Sequence, residues 1–216
     1  MIRSPTEIHS ATREEMSQTV ATIVAAFITD PVARFAWPAA HDYLRAMPAA
    51  TRAFAGGSFA HATAYVSADF CGAALWLPPG MQPNGEALET VFRETARTEH
   101  QDDLLATFEK MEHSHPDEPH WYLPLIGVEP NAQGKGLGAE LMQYAVARCD
   151  REGALAYLES SNPRNISLYL RFGFEMLGEI RMGAAPLVTP MLRRPHPAAP
   201  MRMERRQTRA RGGRPR

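Results

Sequence analysis

Three glycines fall within five residues in Gln133-Gly134-Lys135-Gly136-Leu137-Gly138, and this stretch constrains the chain more than any other. It lies between two unlike patterns. Trp121 to Val128 is an apolar run of strand type. From Gly136 to Glu152, Leu137, Leu141, Ala145 and Val146 recur at helical spacing. Glycines at a strand-to-helix junction strip side chains from a place where backbone amides approach something closely. A helix N-terminus there presents unpaired N–H groups and the positive end of the helix dipole. Together these bind phosphate; the plainer reading is a tight turn with glycines kept for packing.

The phosphate ligand is narrowed by what the loop lacks. A P-loop needs Ser or Thr after its lysine, but Gly136 follows Lys135, and Glu129 stands where the first glycine belongs. The dinucleotide fingerprint is a nearer rival, since Gly134-x-Gly136-x-x-Ala139 satisfies its looser form and Glu159 lies near the ribose-binding position. Against it, five residues separate Val128 from Gly134, and the unit sits late in a chain of 216 residues.

The remaining chain reads as an α/β protein. A first strand is expected near Thr6–His9. Thr12 and Glu15 form a capping box ahead of a helix carrying Met16, Val20, Ile23, Val24 and Phe27, which Asp30-Pro31 ends. A second helix is expected from His41 to Phe54, then a hairpin over His61–Ala68 and Phe70–Leu77, then two helices within 86–113. After the glycine loop and its helix come a strand at Leu155–Glu159, a short helix at Asn165–Phe172, and strands at Phe174–Ile180 and Leu187–Thr189. The strands on either side of the glycine-loop helix should be parallel neighbours.

Gln133, Gly136 and Gly138 match the coenzyme A signature Gln/Arg-x-x-Gly-x-Gly/Ala, with Val128-x-Pro130 before it. Asn165 to Phe174 resembles a second signature, Asn-x-x-x-Tyr-x-x-x-Gly-Phe. On these segments the chain resembles the GNAT superfamily of N-acetyltransferases. The stretches 127–138 and 158–165, with Ala74 to Gly80 upstream, look like its puromycin N-acetyltransferase branch, a likeness of scaffold that does not imply puromycin. The resemblance implies a GNAT fold: a mixed sheet of about six to seven strands with a splayed parallel pair and flanking helices. It implies acetyl-CoA as co-substrate, with no metal, and direct attack by a primary amine in a ternary complex.

Residues follow from that resemblance. The pyrophosphate should sit on amides from Gly134 through Lys135, Gly136, Leu137 and Gly138 to Ala139, with Gln133 beside them. The pantetheine arm should lie along Ile126-Gly127-Val128, with Asn165 hydrogen-bonding it. Pro124 cannot donate to a ladder and marks either a bulge where the sheet opens or an edge. Tyr169, one helical turn after Asn165, is the expected general acid for the leaving thiolate. Glu159 is the leading candidate base or ammonium-binding group, with Glu129 and His120 behind it.

Charge and composition bound the partners. Residues 1–192 carry 14 basic and 23 acidic residues, a net of −9, while Arg193 to Arg216 holds nine arginines and one acid. An acidic body would favour encounter with cationic substrates, although acidity that serves solubility alone is the commoner reason for such a balance. The domain is expected over 1–195, with 196–216 a disordered tail. That tail could meet nucleic acid, but no aromatic residues interleave its arginines, so a solvated extension is expected. No apolar stretch is long enough to span a membrane, no secretory signal opens the chain, and Cys71 and Cys149 suit a reducing cytoplasm. His113, His115 and His120 invite a metal reading, but Pro116 and Pro119 break the geometry and a solvated loop is expected. The acceptor is expected to be a small-molecule amine and the protein a monomer or homodimer. The alternatives are a protein or peptide N-acetyltransferase and a non-catalytic acetyl-CoA sensor.

Overall fold

The computed structural model describes residues 6–196. Its centre is a seven-stranded sheet of order β1-β2-β3-β4-β5-β7-β6. The strands are β1 (Ile8–Ser10), β2 (Ala64–Ser67), β3 (Gly72–Leu77), β4 (His120–Val128), β5 (Leu155–Ser160), β6 (Phe174–Met176) and β7 (Thr189–Arg193). Among the described residues, β4 and β5 form the one parallel pair. A doubly wound dinucleotide fold needs a mostly parallel sheet, so that reading of the glycine loop falls.

The helices are α1 (Met16–Ala26), α2 (Pro31–Ala36), α3 (Ala40–Ala55), α4 (Gly57–Ala60), α5 (Gly85–Thr95), α6 (Gln101–Glu112), α7 (Leu137–Glu152) and α8 (Ile166–Arg171). They divide between the two faces of the sheet. On one face Val20, Ile23 and Val24 of α1 pack with Tyr43, Met47 and Ala50 of α3, Phe92 of α5 and Leu104 of α6 against Ala73 and Leu75. On the other, Leu137, Leu141, Met142 and Val146 of α7 cover Ala74, Trp76, Trp121 and Leu123. The alternation of Ala73, Ala74, Leu75 and Trp76 between these cores is the two-residue period of a strand covered on both sides. Burying a side chain the size of Leu75 contributes roughly 1.5–3 kcal/mol, and an alanine methyl about 0.8 kcal/mol.

β4 breaks that period. Its register against β3 shifts between Leu75↔Leu125 and Leu77↔Tyr122, so a bulge falls at Leu123–Pro124. As a result Trp121 and Leu123 face α7, whereas Leu125 joins the core on the opposite face. Pairing with β5 also stops there, at Leu123↔Leu158. Beyond that point β4 remains on β3, through Ile126↔Ala74 and Gly127↔Ala73, while β5 continues against β7. The parallel pair therefore splays at Pro124, which needs no ladder donor.

Several boundaries differ from expectation. The Thr12–Glu15 box forms both reciprocal bonds, 2.8 and 3.3 Å. Asp30, read as the end of a helix, begins one, because its carboxylate accepts from the amides of Val32 and Ala33 and Pro31 opens α2. The strand expected to Ile180 ends at Met176, leaving Ile180 in an isolated bridge to Val188. The strand expected at Leu187–Thr189 is β7, which inserts between β5 and β6. Arg193, counted with the basic tail, is a buried β7 residue whose guanidinium makes two 2.8 Å bonds to Asp150 and donates to Phe172 O. The expectation for the tail beyond His196 lies outside the described residues. Among those described, no helix is long and apolar enough to cross a membrane.

Candidate active site

The glycine loop adopts the geometry its composition suggests. Gly134 (φ 73°) and Gly136 (φ 91°) are left-handed, and a Cβ at either would point into open space with no atom within 4 Å. Gly136 caps α7 at its N-terminus, and its carbonyl accepts from the amides of Ala139 and Glu140. The amides from Gly134 to Gly138 have no such acceptor, as the start of a helix dictates. Ala139, predicted as part of the phosphate cradle, already donates its N–H to Gly136 and is the exception. Lys135 turns its ammonium back to Asn131 O at 2.8 Å, so only its amide faces outward. Gln133 Nε2 donates to Val128 O at 2.9 Å and ties the loop to the end of β4.

Gln133, Gly134, Gly136, Leu137 and Gly138 border a cleft of about 320 Å³, which Lys135 and Ala139 do not line. One wall is Ile126, Gly127 and Val128; another is Gln133, Gly134, Gly136, Leu137 and Gly138; Asn165 and Tyr169 close the third side. Gly127 is required by the crossing of α1, since a Cβ there would meet Ala26 Cβ at 2.4 Å. Tyr169 lies on α8 with 4% of its surface exposed. Burial, then the nearby Asp30 charge, holds its hydroxyl well above the ordinary tyrosine range, so it stays protonated.

Across the splay lies a second, largely apolar cavity, walled by Phe27, Trp37, Phe54, Phe92 and Phe108 among others, with Asp30 and Glu159 as its acids. Phe27 and Asp30 line both spaces. β4 joins them as well: Pro124 and Leu125 border the apolar cavity, and the next three residues border the cleft. Asp30 is buried, its Oδ1 on the α2 amides and Oδ2 accepting from Ser161 at 2.5 Å. Desolvation pushes its carboxyl upward despite those bonds.

Glu159 sits where β5 leaves β4, with 1% of its side chain exposed. Its Oε1 lies 3.3 Å from His115 Nε2 yet outside hydrogen-bond geometry. Tyr122 and Tyr157 are raised by burial first and by the Glu159 charge second. His115 Nδ1 is 2.9 Å from His120 Nε2, and His120 Nδ1 is 2.8 Å from Glu118 O. Burial lowers His120. The loop expected to be solvated is exposed at His113 and at Asp117 to Pro119, but His115 is packed between Tyr122 and Tyr157 and His120 is half-buried. Among the described residues no three His, Cys, Asp or Glu side chains converge on a possible metal site. Glu129 borders neither space.

The acetyltransferase (GNAT) family model matches residues 86–174. An acetyltransferase structure from Corynebacterium glutamicum, described as histone acetyltransferase HPA2 and related acetyltransferase, superposes with a TM-score of 0.64 at 26% identity, over 89% of this chain and 98% of that one. The family model and the structural superposition support the GNAT acetyltransferase superfamily for this chain. It is an acyltransferase. An uncharacterized N-acetyltransferase of Schizosaccharomyces pombe is 28% identical over 184 residues, 74% of this chain and 71% of that one. An L-methionine sulfoximine/L-methionine sulfone acetyltransferase of Pseudomonas aeruginosa is 36% identical over 58 residues, 26% of this chain and 34% of its own.

Within this GNAT fold, sequence reading missed Asp30, Phe27 and His115. Asp-Pro is an N-cap followed by a first-turn proline as readily as a helix stop, and that signal was available for Asp30. Nothing in the local pattern around His115 indicates that a loop will fold back onto the end of β5.

Proposed function

We propose that this chain transfers the acetyl group of acetyl-CoA to a primary amine of a small molecule, by direct attack in a ternary complex. One observation carries the reading: the amide-lined cleft and the apolar cavity meet at Phe27 and Asp30, where the splay at Pro124 parts the sheet. The cleft fits the coenzyme. Its glycines leave open space beside unpaired amides at a helix N-terminus, and the β4 segment lining it has lost its β5 partner. Gln133 and residues 134–138 would hold the pyrophosphate, Ile126 to Val128 and Asn165 the pantetheine arm. When bound, acetyl-CoA supplies an acetyl thioester.

The chain's own residues would then move two protons. Glu159 takes one from the incoming ammonium, so that the neutral nitrogen forms the N–C bond. As the C–S bond breaks, Tyr169 donates its proton to the departing sulfur, and the second proton that the nitrogen sheds in becoming the amide goes back to the tyrosinate. His115 and His120 continue from Glu159 toward the protein surface.

Relatives with related chemistry support a small acceptor. Besides the methionine sulfoximine enzyme, agmatine N-acetyltransferase shares the fold, with a TM-score of 0.64 at 15% identity over 88% of this chain and all of that one. The apolar lining of the cavity, with two acids in it, favours a small amine over the alternative, a protein or peptide N-terminus. The likeness to the puromycin N-acetyltransferase branch rests on its motifs alone. Calorimetric titration of acetyl-CoA followed by thiol release across amines tests the proposal: binding and release support it, and absence of binding overturns it.

A further inference from the structure

The apolar cavity presents two acids and no base. None of the side chains lining it is Lys, Arg or His. An amino-acid substrate would place its carboxylate among Asp30 and Glu159 without a counter-charge, a like-charge juxtaposition that a low-dielectric site punishes severely. A bare ammonium meets the opposite situation. Glu159 Oε1 is buried and accepts no hydrogen bond of good geometry, with His115 Nε2 at 3.3 Å and His120, Tyr122 and Tyr157 also beside the carboxylate.

A second orphan lines the same cavity. Thr51 Oγ1, on α3, is buried and without a partner. Its isolation is unusual within this chain. Thr19, Thr22, Thr90, Thr95 and Thr107 are also helical, and each donates to the carbonyl four residues earlier. Thr51 does not, which leaves an unpartnered hydroxyl on a residue lining a space otherwise built from Phe54, Phe92, Phe108 and Met47. Buried polar groups in native proteins are satisfied, and here the missing partner belongs to whatever fills the cavity.

We infer that the acceptor is an apolar primary amine without a carboxylate, carrying one uncharged hydrogen-bonding group such as a hydroxyl. Its ammonium is drawn to Glu159 and the Asp30 charge, its body to the phenylalanines, and its neutral polar group to Thr51. The inference rests on the proposed acetyl transfer and names the acceptor of that reaction.

The test is steady-state thiol release from acetyl-CoA with tyramine, phenethylamine, tyrosine, methionine sulfoximine and putrescine, on the parent chain and Thr51→Val. Tyramine is expected to be the best of the five, at least ~100-fold above tyrosine in kcat/KM and ~10-fold above phenethylamine. Thr51→Val should erase the tyramine advantage while leaving phenethylamine turnover and acetyl-CoA affinity as they are. Equal or better turnover of tyrosine, methionine sulfoximine or putrescine overturns the inference but leaves acetyl transfer standing. Equal losses for tyramine and phenethylamine in Thr51→Val overturn the assignment of Thr51. Ala50→Phe, which fills the cavity beside Thr51, should abolish turnover of both aromatic amines with acetyl-CoA binding kept; unchanged turnover places the acceptor elsewhere. Failure of acetyl-CoA itself to bind removes the underlying reaction as well.

Discussion

Tyr169 and Gly136 separate chemistry from binding. If Tyr169 protonates the leaving sulfur, Tyr169→Phe should lower kcat by ~100-fold, within the usual range for a positioned acid, with acetyl-CoA affinity unchanged. Equal turnover in the variant and the parent would remove Tyr169 from that role. Gly136→Glu should instead abolish acetyl-CoA binding, because φ of 91° strains any side chain and the carboxylate would enter the phosphate cradle. Calorimetry on the variant checks this, and unchanged affinity would misplace the pyrophosphate. Both residues were legible in the sequence, since each sits in a short motif whose spacing alone fixes its neighbours. The N-cap role of Asp30 was within reach of its Asp-Pro pair, but its place in the cavity was not, nor were those of Thr51 and His115. Their surroundings are assembled from segments far apart in the chain, such as Ser161 beside Asp30, and no local period encodes those meetings.

At the scale of elements, the bulge in β4 does the most to shape the site. A single extra residue at Leu123–Pro124 switches Leu125 to the opposite core and ends pairing with β5. The strand, its apolar character and its proline could be read from sequence, and so could the opening, but only through resemblance to a family. The far side of the sheet depends on a different contact. Arg193 of β7 is 2% exposed and bridges to Asp150 at the end of α7, whose carboxyl that guanidinium holds below its ordinary value of 3.8. The sign is that of a depressed acid: the contribution is present above that value and is lost as pH falls through the lower, folded one. Asp150→Asn should cost about 3–5 kcal/mol at neutral pH by leaving the guanidinium unpaired, and should flatten the acid limb of stability. Urea melts at pH 7 and pH 3 check both. Unchanged stability at pH 7 would show the pair to be incidental. Strand β7 itself was placed too early in sequence because its pairing partners, β5 and β6, are chosen by the fold.

For the whole molecule, the α/β class was within reach of sequence because strand and helix patterns are local; the mixed sheet of about six to seven strands was expected only through the family resemblance, and the order β5-β7-β6 is not a local property. The same division governs function. The cleft proposed for the coenzyme is built mainly from one continuous segment, 126–138, completed by Asn165 and Tyr169, and so shows in the sequence. The cavity proposed for the acceptor draws on the loop after α1, on α2, α3, α5, α6, β4 and β5, and does not. Acidic residues outnumber basic ones by nine over 1–192, which should speed encounter with cationic amines at low salt. Accordingly kcat/KM for an amine should fall as ionic strength rises, a dependence absent for a neutral body. The most direct test of the central claim is calorimetric titration of acetyl-CoA into the purified chain with thiol release on amines measured alongside. The account predicts one-to-one binding, with release when an apolar primary amine is added; no binding of acetyl-CoA would contradict it.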